Sequence, residues 1–197
     1  MVRLAVTFIV ASLLAATGLV AGAGIPRTEP ALEGIPAGSK NGFYVGNLKE
    51  DGTTVWEYVG PDVASLIASS NATAPAASSE DSSAAGHALV KRDEVDCNGY
   101  GLNADHANVA QGEFADMCGS GYFFNSRSIA KVYDDAVAYG CNYGNGQTCT
   151  SNLMWTFYAQ INSKCGFTHG AQAGAGWYYS PSLKASYGRA SAGTGFC

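Results

Sequence analysis

Cysteine is missing from the first 96 residues of this 197-residue chain, and all six cysteines fall between Cys97 and Cys197. No two of them form a C-x-x-C pair, which excludes the usual paired ligands of a structural zinc site and a thioredoxin-like redox motif. Basic residues are also few, Lys+Arg 11 against Asp+Glu 16, for a formal net charge of −5. From residue 93 onward the basics are Arg127, Lys131, Lys164, Lys184 and Arg189. The acids are Asp93, Glu94, Asp96, Asp105, Glu113, Asp116, Asp134 and Asp135, a balance of −3. A phosphate backbone needs a basic face, so no nucleic-acid partner is expected. Long apolar runs are absent beyond the first two dozen residues, whereas a membrane helix needs roughly 20 such residues. No stable membrane anchor is expected.

The N-terminal stretch MVRLAVTFIVASLLAATGLVAGAG carries one positive charge, Arg3, then an apolar run that dissolves into small residues near Ala21-Gly22-Ala23. Residues 1–23 therefore read as a secretory signal peptide, and the product is expected to be extracellular, in an oxidising space that permits disulfides. Residues 24–92 read as a pro-segment. Within it, about residues 41–60, KNGFYVGNLKEDGTTVWEYVG alternates apolar and polar positions around Glu50-Asp51-Gly52, the pattern of a β-hairpin. Residues 61–92 are dominated by Ala, Ser, Thr and acids, too poor in apolar surface to order themselves, and read as a disordered linker. The linker holds a single N-glycosylation sequon at Asn71. It ends in Lys91-Arg92, a dibasic pair that a secretory-pathway processing protease can cleave in an accessible chain. The expected mature cysteine-rich domain is then residues 93–197.

That module has room for one core. Six cysteines in an exported domain predict three disulfides among Cys97, Cys118, Cys141, Cys149, Cys165 and Cys197, with fifteen pairings open. The clearest helix is SNLMWTFYAQINSKCG: Leu153, Met154, Phe157, Tyr158 and Ile161 share a face, Thr150 or Ser151 can cap its start, and Gly166 can close it. A second helix is predicted over 107–117, with Val109 or Ala110, Phe114 and Met117 inward. SRSIAKVYDDAVAYGCNYG fits helical spacing in its first half and strand alternation in its second, and reads as a short helix running into a strand. AGWYYS and SLKASYGRA, separated by Pro181, read as a terminal hairpin. The fold class is α+β, a small disulfide-stapled antiparallel sheet with two or three helices packed on one face.

Catalytic constellations are sparse. His169 follows Cys165 at C-x-x-x-H spacing, but a disulfide would remove the thiolate that a Cys-His nucleophile requires. His106 follows Asp105, with no G-x-S-x-G elbow to complete a triad. Asp134 and Asp135 are adjacent, which in a regular element points them apart. His106, Glu113 and Arg127 are the residue types of a small ribonuclease, so a small secreted hydrolase stays open as an alternative, while the balance leans away from an enzyme. No cofactor and no metal are expected. The aromatic tract Trp177-Tyr178-Tyr179 is the best candidate binding surface, for a protein target or for sugar rings. A cell-wall or carbohydrate-binding secreted protein is the other alternative.

A signal peptide, a pro-segment ending in Lys-Arg and about a hundred residues with six cysteines resemble the secreted small cysteine-rich effectors of filamentous fungi. More narrowly, VAYGCNYGNGQTC, then the helix through MWTFYAQINSKCG, then an Ala/Gly-rich strand region closing on Cys197, resembles the necrosis-inducing effector family and the killer toxins of α/β-sandwich fold. The resemblance implies a secreted effector or toxin-like virulence protein that binds a surface target, protein or glycan, on a host or competitor cell. Only the cysteines carry over from it residue by residue.

Overall fold

The computed structural model describes residues 34–69 and 93–197. The signal peptide, Asn71, Lys91 and Arg92 lie outside the described residues. In chain order the elements are β1 (Gly42–Leu48), β2 (Thr54–Gly60), α1 (Val63–Ser69), β3 (Glu94–Asn103), α2 (Ala104–Cys118), β4 (Tyr122–Phe124), β5 (Ser128–Tyr133), β6 (Ala136–Asn142), β7 (Gln147–Cys149), α3 (Ser151–Cys165), β8 (Gln172–Ser180) and β9 (Ala185–Ser191). Seven strands form one sheet in the order β2-β1-β5-β6-β9-β8-β3, and β4 pairs with β7 separately. Every pairing is antiparallel. The sheet is larger than the small one expected, because β1 and β2, which precede the Lys-Arg pair, extend it beyond β5.

The two long helices form where their sequences predict. Thr150 caps α3, its hydroxyl accepting the Leu153 N–H at 3.3 Å, and Gly166 closes it at φ 88° with its N–H donating to the Asn162 carbonyl. Asn103 caps α2 by accepting the N–H groups of Asp105 and His106, satisfying two donors that a helix start leaves without internal partners. Helix α2 lies against β5 and β6, and α3 against β8 and β3.

Residues 128–142 depart from expectation. In place of a helix running into a strand, β5 and β6 form a tight hairpin that turns at Asp134, φ 51°. Both strands are buried almost throughout, with both faces covered. A doubly covered strand loses the apolar-polar alternation that distinguishes it from a helix, and β-branched Ile129, Val132 and Val137 favour the extended form.

Two apolar clusters result. Phe114, Met154, Phe157 and Ile161 from the helices join Phe43, Leu66, Ile129, Ala138 and Tyr187 in one. The intervening strand residues Ala130, Val132, Val137, Tyr139 and Cys141 join Ile35, Tyr44, Ala190 and Phe196 in the other. Successive strand residues point to opposite faces, so the central strands are covered on both. Between β6 and β9 the fit is reciprocal: Tyr139 stands opposite Gly188, and Gly140 opposite Tyr187. A Cβ on Gly140 would meet the Tyr187 ring at 2.7 Å, and one on Gly188 would meet the Tyr139 hydroxyl at 2.7 Å. Each ring occupies the space that its partner glycine leaves.

The disulfides are Cys97–Cys165, Cys118–Cys149 and Cys141–Cys197. The first ties β3 to the end of α3, the second ties the end of α2 to β7, and the third holds the C-terminal segment on β6. Near the first, Arg189 is fully buried, its guanidinium donating to the Gly174 and Gly166 carbonyls at 2.7 and 3.0 Å and to the Asn162 side chain. Burial lowers its pKa to about 10.

The N-terminal described segment is part of this architecture. Its turn is closed by Gly52, φ 85°, whose N–H donates to the Lys49 carbonyl, and by Asp51, which accepts from the Thr53 N–H and hydroxyl. Where the linker is expected to begin, Val63–Ser69 form α1, with Asp62 accepting from the Ser65 N–H and Leu66 fully buried. Among the described residues no helix is long and apolar enough to cross a membrane.

Candidate functional site: an aromatic cleft on β3 and β8

Strand pairing between β3 and β8 sets Glu94 opposite Tyr179, Val95 opposite Tyr178 and Asp96 opposite Trp177. The side-chain period of two then sorts the aromatic tract. Tyr178 is buried and stacks on Phe157 of α3 with centroids 4.1 Å apart. Trp177 and Tyr179, with Asp96 and Glu94 beside them, line a cleft of about 300 Å³ that Tyr143 closes from the end of β6. Of the three tract residues named from sequence, two reach the surface together and Tyr178 belongs to the core. Its hydroxyl donates to the Asp93 carboxylate at 2.7 Å, and the Ser180 hydroxyl does the same at 3.1 Å.

Tyr143 is the residue that the sequence does not single out. It is 40% exposed, its ring lies 6.1 Å from that of Tyr179 in an edge contact, and its hydroxyl bonds to that of Ser186 at 2.9 Å. The Arg127 guanidinium sits 4.6 Å above its ring and donates to the Asn142 and Cys197 carbonyls at 3.0 and 2.6 Å. Beyond Trp177 the cleft continues into a recess of about 190 Å³, reaching Asn98 and Phe196. Phe196 stacks on Tyr139 at 4.2 Å, and the Cys141–Cys197 disulfide holds its segment there. Aromatic faces with two neighbouring carboxylates suit a ligand that offers a flat apolar face together with hydroxyl or ammonium donors.

The catalytic candidates are dispersed. His106 meets the β5–β6 turn, its Nδ1 2.7 Å from Asp135 and its Nε2 3.3 Å from Asp134. The two carboxylates expected to point apart both reach this ring, because Asp134 takes the left-handed conformation and leaves the strand alternation. The hydrogen bond to Asp135 raises the His106 pKa above its ordinary value, and the charges of Asp135, Asp134 and Asp105 add to it against burial. With a carboxylate of the β5–β6 turn on each nitrogen, both ring positions of this imidazole are occupied by partners within the protein. Glu113 is committed to Lys131 and Arg127 to Tyr143, so the three residue types of the ribonuclease alternative have separate partners. His169 is exposed with its ring 4.9 Å from Phe167, and Cys165 is disulfide-bonded. Comparison with family models, with curated proteins and with solved structures returns no match for this chain.

Proposed function

We propose that this is a secreted effector or toxin-like protein, exported by residues 1–23 and cut after Arg92, that acts by binding a surface target on a host or competitor cell. The observation that carries this reading is the cleft of Trp177, Tyr179 and Tyr143 beside Glu94 and Asp96. It lies across a strand pair that Cys97–Cys165 staples to α3. A rigid scaffold loses little conformational entropy on association, and aromatic anchors concentrate binding energy. The anchoring of Asp93 by Tyr178 and Ser180 fits a cut before it, since the new terminus would be held at the start of β3. Three disulfides fit export.

The test applies the secreted protein, its reduced and alkylated form and its Trp177→Ala variant to leaf tissue and to fungal and bacterial cultures. Cell death or growth arrest from the oxidised wild type alone supports the reading. Equal effect from Trp177→Ala removes the cleft from it, and an effect that survives reduction removes the folded state. A second reading, binding of wall polysaccharide, is favoured by the combination of ring faces and carboxylates. Retention on chitin, glucan or cellulose, competed by soluble oligosaccharide and lost in Trp177→Ala, would promote it.

A further inference from the structure

Residues 34–69 occupy the sheet in a manner that a discarded pro-segment does not require. Strand β1 pairs with β5 from Gly42↔Val132 to Gly46↔Ser128, and without it β5 would be an edge strand of doubly buried residues, a template for aggregation. The segment contributes to both apolar clusters: Phe43 and Leu66 to the one that holds Phe114 and Ile129, Ile35 and Tyr44 to the one that holds Val132 and Ala190. Polar ties accompany this burial. The Gly193 N–H donates to the Ile35 carbonyl at 2.6 Å, the Asp134 N–H to the Asn41 side chain at 2.7 Å, and the Lys131 ammonium to the Pro61 carbonyl at 3.1 Å. No cysteine precedes Cys97, so no disulfide joins this segment to the rest.

We propose that the N-terminal segment is a permanent second chain of the exported protein, retained as the strand donor to β5 after the chain is cut behind Arg92. The partner that the β5 edge fits is therefore the protein's own residues 34–69, held without a covalent bond. This rests on the processing at Lys91-Arg92 proposed above. The cysteine-bearing module would reach its target carrying the hairpin.

The experiment separates the two ideas. Secreted protein from the full gene is measured by intact mass under denaturing, non-reducing conditions, then by native mass and size exclusion at about 1 µM, a concentration at which only submicromolar association survives. Two masses under denaturing conditions and one combined species under native conditions are expected. Two masses that also elute separately, with chain 93–197 soluble and monomeric, would overturn retention while leaving processing intact. A single uncut mass would instead sink processing. Retention is then read from a chain carrying a sequence-specific protease site in place of residues 78–83, nicked in vitro and passed over the same column, where separation overturns the proposal. In either cut form Phe43→Ala should speed dissociation of the N-terminal chain by about a hundredfold or more, the loss expected for truncating a buried ring; an unchanged rate would show that Phe43 does not hold the chains together.

Discussion

Lys131, only 3% exposed, keeps its ammonium 4.6 Å from the centroid of the Phe43 ring, although the two residues stand on opposite sides of the Lys-Arg pair at 91 and 92. Its other partners are Glu113 on α2 and the Pro61 carbonyl. The charge is thus buried beneath one part of the chain and satisfied by both parts. Phe43→Ala in the uncut protein should lower stability by about 3–5 kcal/mol, read from the denaturant midpoint by fluorescence. A midpoint unchanged within about 0.5 kcal/mol, the usual range of a surface substitution, would mean that the hairpin and the cysteine-bearing module unfold independently.

The aromatic tract offers a contrast between neighbours. Trp177→Ala should abolish target binding with a stability loss of about 1–2 kcal/mol, since its half-buried ring lines the cleft on one side and packs on the second apolar cluster on the other. Tyr178→Ala should cost about 3 kcal/mol or more, because its ring packs on Phe157 beneath the sheet. Thermal melting and a binding or cell assay on both variants decide the matter, and a reversed order would place the wrong ring at the surface.

His106 gives the protein a pH-dependent joint. The groups facing it are Asp134 and Asp135 from the β5–β6 turn, Asp105 on its own helix, and the edge-on Tyr133 ring at 5.9 Å. Its folded pKa is raised, so its contribution is fully present below the ordinary histidine value of about 6.5 and is lost as pH rises through the folded value. The melting temperature of wild type should exceed that of His106→Gln at about pH 5, with the gap closing toward about pH 9. A gap independent of pH would show that the imidazole does not titrate in this contact.

Each disulfide should contribute on the order of 2–4 kcal/mol, with different local consequences. Replacing Cys118 and Cys149 together by serine should lower the melting temperature and leave the cleft intact, since that bridge joins α2 to β7. Replacing Cys141 and Cys197 together should also free Phe196 from Tyr139 and open the recess beside Trp177. Target binding is the discriminating measurement, and equal binding by the two double variants would exclude the recess from the interface.

How much of this is legible in the sequence follows from how local each feature is. Helix α3 is written within seventeen consecutive residues, from the Thr150 cap to Gly166, and α2 is similarly self-contained. The hairpin turn at Asp51-Gly52 is local as well. The pairing of β1 with β5 spans more than eighty residues, and nothing in GFYVGNL states which edge it will join. The doubly buried β5 and β6 have no polar face to mark them as strands. Alternation does separate Trp177 and Tyr179 from Tyr178, whereas the approach of Tyr143 depends on how β6 meets β8 through β9. The His106 contacts depend on the backbone reversal at Asp134, which a sequence pattern does not show. The buried Arg189 is equally hidden, because its partners are two backbone carbonyls and the side-chain amides of Asn162 and Gln111 instead of a complementary charge.

The facing Tyr-Gly dipeptides of β6 and β9 have a use beyond packing. Tyr139-Gly140 and Tyr187-Gly188 run in opposite directions, so that each tyrosine covers the other strand's glycine, one pair on each side of the sheet. Any larger residue at Gly140 collides with the Tyr187 ring and any at Gly188 with the Gly176 carbonyl and the Tyr139 hydroxyl, and any smaller one at either tyrosine leaves a hole. Two such dipeptides about fifty residues apart, the second followed by a closing cysteine, form a compact geometric fingerprint by which distant kin of this chain could be sought after the rest of their sequences has diverged.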